Sequence, residues 1–312
     1  MSISDGAADL QRWRAPPVFQ LLSGGTSVPG MHQNKVWRGL AQIPGNMEPG
    51  IIFTVKWVKK KESLATELAC SLAAQALKLQ VPPGVLILAE KDQLPGLPSQ
   101  VTGGPHDLVI CFGSAHQFPD ETTGRPIGRD AVEEWVWRLL CESAEGPSGA
   151  VWDELVANED RHFQNVVFDG YRWWLIDHES SLSPVAKVMK KFTEQGTRQA
   201  LIDHRSKTNQ LAYEVATRRQ DHKMENLPTN WNHHKQRLAW ITSQARDWRT
   251  GIDQIDTILM MTYVYLSSIE LRLPALALHL DKRLKTPEKS LLWNSSSNNS
   301  KPLRPSTKIR RA

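Results

Sequence analysis

Cysteine is scarce in this chain: three residues in 312, Cys70, Cys111 and Cys141, far apart and odd in number. That supply fits neither a disulfide framework nor a zinc knuckle, and it reads as small buried hydrophobes in a reducing cytosol. Long apolar runs are missing too. The most apolar late stretch, Ile258–Ile269, is too short to span a bilayer and ends at Glu270, so no membrane contact is expected. The opening MSISDGAADL has no basic region followed by an apolar run, which argues against a signal peptide and for a cytoplasmic protein. An excess of charge is also absent outside the tail. The formal net charge is +5, but Lys301, Arg304, Lys308, Arg310 and Arg311 all lie in the last twelve residues with no acid among them. Without those five, the 33 remaining basic residues equal the 33 acidic ones, so nucleic-acid contact rests on the tail cations alone. The adjacent His233 and His234 lack an obvious third ligand within one helical face, so no zinc site is read from them. What is present is an ordinary globular composition, 40% hydrophobic and 23% charged, long enough for one bilobed domain or two modest ones.

The chain is organised around Val151–Leu182, VWDELVANEDRHFQNVVFDGYRWWLIDHESSL. Trp152, Leu155 and Val156 fall at helical spacing before Asp160, and VVF, a DG turn and WWLI read as a hairpin after it. Asp160, Asn165 five residues on, and Asp177 at the end of a strand have the spacing that phosphoryl transfer requires. One carboxylate orients the attacking hydroxyl while an amide and a second carboxylate hold metal. The same letters also fit a capped helix followed by a surface hairpin.

Asn158, Asp160, Arg161, His162 and Asn165, followed by Leu175–Asp177, spell N-x-D-R-H-x-x-N and then L-I-D. This wording resembles the HipA-like kinases and, more distantly, the phosphatidylinositol 3- and 4-kinases. The resemblance implies an α+β, bilobed protein-kinase-like fold with a small mixed β-rich N-lobe and a larger, mainly helical C-lobe. It also implies ATP and Mg2+ as cofactors, with Asp160 the catalytic base and Asn165 and Asp177 the metal ligands. One departure is plain: His178 and Glu179 follow Asp177 where D-F-G would place Phe and Gly. Asp153, Arg161 and His162 are expected to support the catalytic loop by hydrogen bonding.

Upstream, Val18–Leu22 reads as a strand entering SGGTSVPG, which is neither a Walker loop nor G-x-G-x-x-G. Gly24, Gly25, Thr26 and Ser27 can form a backbone turn whose N–H groups face an anion, and they equally suit a hairpin turn. A similar G-G-[ST] stretch covers the nucleotide phosphates in HipA-like kinases. Thr26 and Ser27 are also candidates for autophosphorylation, as hydroxyls in a flexible loop beside ATP. Ile51–Val58 is a strand by its β-branched and aromatic content, and the following helix, Ser63–Leu77, carries Glu67 at the border of a face formed by Leu64, Leu68, Leu72 and Ala76. Lys56 on that strand and Glu67 on that helix match the clamp that positions ATP phosphates. On the resemblance, Val85–Ala89 leads into the hinge near Leu88–Lys91, where backbone groups around Leu88 and Glu90 meet adenine.

Further along, Leu108–Ser114 returns to strand character, Arg129–Cys141 reads as an amphipathic helix, and GPSG at Gly146–Gly149 breaks it. Beyond Leu182 the candidate helices are Lys187–Thr193, Leu201–Arg219, Trp231–Trp248 and Ile252–Leu273, the last stopped by Pro274. The expected organisation is an N-lobe over 1–91, a C-lobe over 92–284 and a disordered basic tail over 285–312. The expected activity is that of a Ser/Thr protein kinase acting on a protein substrate, with a regulatory protein partner as a further expectation. The alternatives are a lipid or small-molecule kinase of the same fold, or a catalytically inactive kinase-like interaction protein.

Overall fold

The computed structural model describes residues 14–28, 34–45, 50–101, 108–117, 129–183, 204, 209–218, 231 and 234–284. The expected Lys187–Thr193 helix, His233 and the basic tail fall outside these residues. So does the first part of Leu201–Arg219.

Alternation builds the N-terminal part. In β3 (Val36–Gln42) and β4 (Ile51–Lys56), Trp37, Ala41, Phe53 and Val55 point inward and are buried. The odd-numbered row therefore makes a core and the even-numbered row faces outward, which is the period-2 rule for a strand. Together with β1 (Val18–Leu21), β2 (Thr26–Ser27), β5 (Gly84–Glu90) and β6 (Leu108–Ala115), these strands form one sheet in the order β1-β5-β6-β4-β3-β2. A further antiparallel pairing of β1 with β3 curls the sheet into a small barrel. Leu21, Trp37, Phe53, Val55, Ile87 and Cys111 fill its interior.

Helix α1 (Lys61–Ala76) packs on the outside of this barrel. A single apolar face was expected, but the helix is buried almost all round, Glu67 included. It lies between the barrel and the helical lobe, so no face is left for water. The helical lobe comprises α2 (Arg129–Glu142), α3 (Glu145–Leu155), α4 (Gln210–Arg218), α5 (Lys235–Asp247) and α6 (Asp253–Leu284). A two-stranded hairpin, β7 (Val166–Phe168) with β8 (Trp173–Leu175), is set into it. The molecule is thus bilobed, a small mixed β-rich lobe and a larger mainly helical one, as in protein-kinase-like folds.

Three local expectations are corrected. The sheet lobe does not end near residue 91, because β6 pairs with β5 from Gly84↔Ser114 to Glu90↔Leu108 and with β4 from Phe53↔Ala115 to Lys56↔Phe112. The crossing between lobes therefore follows Ala115. GPSG lies inside α3, with Pro147 in its first turn, where the missing N–H costs no helical bond. Gly149 permits close packing there: a Cβ on it would lie 2.8 Å from the Leu211 side chain and 3.0 Å from that of Leu175. Pro274 does not stop α6, which runs on to Leu284. Buried Leu273 and Leu276, and Arg272 donating to the carbonyls of Leu155 at 2.8 Å and Glu154 at 3.1 Å, hold the helix against α3 across the lost bond.

All three thiols are buried. Burial pushes Cys111 up to about 12 and Cys70 well above the ordinary thiol value. A thiol reagent should therefore modify none of the three cysteines in the native protein at neutral pH and all three after denaturation; fast labelling of the native chain would contradict this packing.

Candidate active site

The site lies where three connections end. Strand β4 closes on Lys56, an outward position of the alternating row, and so turns that side chain toward α1. One and a half turns into α1, Glu67 faces it. The chain leaving β8 brings Asp177 and Glu179 to the same point. Lys56 Nζ lies 3.1 Å from Glu67 Oε1, 2.7 Å from Asp177 Oδ1 and 2.7 Å from Glu179 Oε2. Glu67 and Asp177 accept hydrogen bonds from the ammonium, and Glu179 completes the cluster as an ion pair. Burial works to lower the Lys56 pKa, but Glu67, Asp177 and Glu179 outweigh it and hold the ammonium well above the usual lysine range. For Glu67, burial drives the carboxyl upward, opposed by Lys56 and by the His178 N–H that donates to its Oε2 at 3.0 Å. Lys56 is charged throughout the physiological range.

Carboxylate oxygens of Glu67, Asp177 and Glu179 lie within 4.8 Å of one another, a group of hard oxygen ligands able to hold a cation such as Mg2+. Asp177 has φ 59°, a left-handed conformation uncommon for a residue with a Cβ, and strain of this kind is kept where the surroundings over-determine it.

Beneath the cluster is a buried polar hub centred on Arg161. Its Nε and Nη2 donate to Asp153 Oδ2 and Oδ1 at 3.0 and 2.9 Å, while Nη1 donates to the carbonyls of Asn165 and Ile176 at 2.6 Å each. Both side chains are fully buried, so this bidentate pair is the charge pairing that makes burial tolerable. His178 Nε2 lies 3.0 Å from Trp152 Nε1 and 3.0 Å from Arg161 Nη2. Both neighbours are obligate donors, so Nε2 accepts and the ring proton sits on Nδ1. Burial, then Arg161 and Lys56, keep His178 well below the usual histidine value and hence neutral. Asn158 completes the hub, donating to Asp153 Oδ1 at 3.1 Å and accepting from the Asp160 N–H at 3.1 Å.

Asp160 stands at the exposed edge of this floor. Asn165 Nδ2 donates to its carbonyl at 3.0 Å, and Ser180 Oγ lies 3.5 Å from its carboxylate. Ile176 N donates to the Asn165 carbonyl at 3.1 Å, tying the loop to the strand that delivers Asp177. His162 is exposed and accepts from the Gln164 N–H at 3.3 Å, capping a single 3-10 turn over Phe163–Asn165.

The structure thus brings Lys56, Glu67 and Asp177 together, with Asp160, Asn165, Asp153 and Arg161 on one connected floor. The glycine stretch packs within the sheet lobe. Gly25 N donates to the Gln93 carbonyl at 2.7 Å, and a Cβ on Gly25 would sit 2.8 Å from Trp37 Cβ. The Gly25 N–H is thus committed to a carbonyl, and the lack of a side chain there permits close packing on Trp37. Thr26 and Ser27 are exposed but lie in β2, paired with Arg38 and Trp37, and not in a flexible glycine loop. Leu88 and Glu90 end β5, whose last residue is capped by Gln93 and returns into the same sheet. They do not form the connection between lobes. Two contacts escaped sequence reading: Asn34, whose Nδ2 donates to Glu179 Oε2 at 2.8 Å, and Glu179 itself. The D-H-E wording of residues 177–179 was the available signal for the second.

No protein-family model matches the sequence, and no curated protein matches it. Among solved structures, the chain is similar to the crystal structure of a Helicobacter pylori proinflammatory kinase, CtkA, at 16% sequence identity and a TM-score of 0.45, the match covering 85% of this chain and 99% of that one. So low a likeness leaves the site to be read from its own geometry.

Proposed function

We propose that this chain is an ATP- and magnesium-dependent phosphotransferase of HipA-like type that moves the γ-phosphoryl group to a hydroxyl, with serine or threonine of a protein as the acceptor class. The observation that carries the reading is the meeting of Lys56, Glu67 and Asp177, which come from a strand, a helix and a segment 121 residues beyond the lysine. Glu67 orients Lys56, and Lys56 holds phosphate oxygens. Asp177 and Asn165 are the residues that would hold magnesium, whose charge would neutralise the phosphates. Asp160, exposed at the rim, accepts the proton of the attacking hydroxyl. A bond forms between that oxygen and the γ-phosphorus as the bond to the β–γ bridging oxygen breaks, and ADP leaves.

A second reading, a kinase-like protein without transfer activity that binds a regulatory partner, is favoured by one observation: the Lys56 ammonium is already surrounded by three protein carboxylates. Transfer from labelled ATP by wild type and by Asp160→Ala decides between them. A lipid or small-molecule product would keep these residue roles and change the acceptor alone.

A further inference from the structure

Lys56 and Asn34 converge on one oxygen. Glu179 Oε2 lies 2.7 Å from Lys56 Nζ and accepts from Asn34 Nδ2 at 2.8 Å. The amide must face the carboxylate through its nitrogen, because the other orientation would set two acceptors against each other. Asn34 belongs to the β2–β3 connection, just before β3, in which Val36 pairs with Lys56. Two donors of the sheet lobe, one of them cationic, therefore receive a single anionic oxygen carried by the segment that follows β8.

We propose that Lys56 and Asn34 form the anion subsite for a nucleotide phosphate, and that the Glu179 carboxylate, seated on both, competes for it. The proposal rests on reading the site as a nucleotide site and adds to it a binding residue and an internal competitor. Because Glu179 Oε2 stands 2.7 Å from Lys56 Nζ, a phosphate oxygen that takes this place displaces the carboxylate. Glu67 is fully buried and anchored by the His178 N–H. Asp177 is short and fixed by its left-handed backbone. Glu179 has the longer side chain, lacks the Lys56 hydrogen bond that Glu67 and Asp177 each receive, and is held through the same oxygen that a phosphate would replace. It is the group that leaves. Two further carboxylates remain beside the subsite, so metal-free nucleotide is repelled.

The test is calorimetric titration of the full chain with ATP, in EDTA and in excess Mg2+, alongside thermal unfolding without nucleotide. Glu179→Ala should bind metal-free ATP about tenfold more tightly, the scale of one like charge removed at close range in a partly exposed site. The same variant should unfold at a lower temperature without nucleotide, since it loses an ion pair. Opposite signs in the two readouts separate competition from simple structural damage. Asn34→Asp, which sets a carboxylate in place of the donor, should bind Mg2+-ATP about tenfold more weakly. If wild type binds ATP and Glu179→Ala binds it equally or less well, the competitor is refuted while the nucleotide site stands. If wild type and both variants bind no ATP under either condition, the nucleotide reading fails and this inference falls with it.

Discussion

Arg161→Met should lower the unfolding free energy by about 3–5 kcal/mol, the usual cost of leaving a buried charge without its partner. Asp153 would keep a fully buried carboxylate facing a thioether, and the carbonyls of Asn165 and Ile176 would lose their shared donor. Denaturant unfolding followed by tryptophan fluorescence measures the change. The double variant Asp153→Leu with Arg161→Met should recover part of the loss, because the stranded charge is gone. Equal losses in the single and double variants would show that the carbonyl contacts, rather than the charge pair, hold the loop. The residue is far from incidental to the site: through it the floor under Asp160 and the segment that leads from β8 to Asp177 share one guanidinium.

Lys56→Met should move two affinities in opposite directions. ATP binding in Mg2+ should weaken by about a hundredfold or more, since a charge-assisted contact to phosphate is lost. Binding of a divalent cation alone should strengthen, because Glu67, Asp177 and Glu179 would face one another without the ammonium. Calorimetry with Mn2+ in the absence of nucleotide reads the second effect. A merely destabilised variant would weaken both, so the divergence of signs identifies the role. Unchanged ATP affinity in a folded Lys56→Met protein would remove Lys56 from the phosphate site.

Much of this was legible in the sequence wherever the signal was local. β-branched and aromatic content marked β4, and short apolar runs marked β5 and β6, to within two residues at either end, and the D-x-x-x-x-N spacing with a distal Asp led to the floor and the cluster. The errors share a cause, in that contacts between distant segments decide them. Nothing near Gly25 announces that its N–H is taken by Gln93, a contact that forms because β1 and β5 pair in parallel. The hinge was placed one strand too early because β5 and β6 look alike as apolar runs, and the register with β4 alone shows which strand stands beside Lys56. Gly146–Gly149 and Pro274 read as breaks by local propensity, and tertiary packing overrides both. Glu179 looked like a departure from D-F-G; its contacts with Lys56 and Asn34 become visible only once residues 34, 56 and 179 meet.

The most direct measurement is transfer of label from γ-labelled ATP, in Mg2+, to a cytosolic extract and to the chain itself, with Asp160→Ala and Asp177→Ala in parallel. Wild type should transfer label to serine or threonine. Both variants should lose it by about 10²-fold or more while remaining folded, the range expected when a positioned acid–base group is removed. Transfer by Asp160→Ala at the wild-type rate, or none by wild type despite saturable Mg2+-ATP binding, would contradict the assignment of this site to phosphoryl transfer.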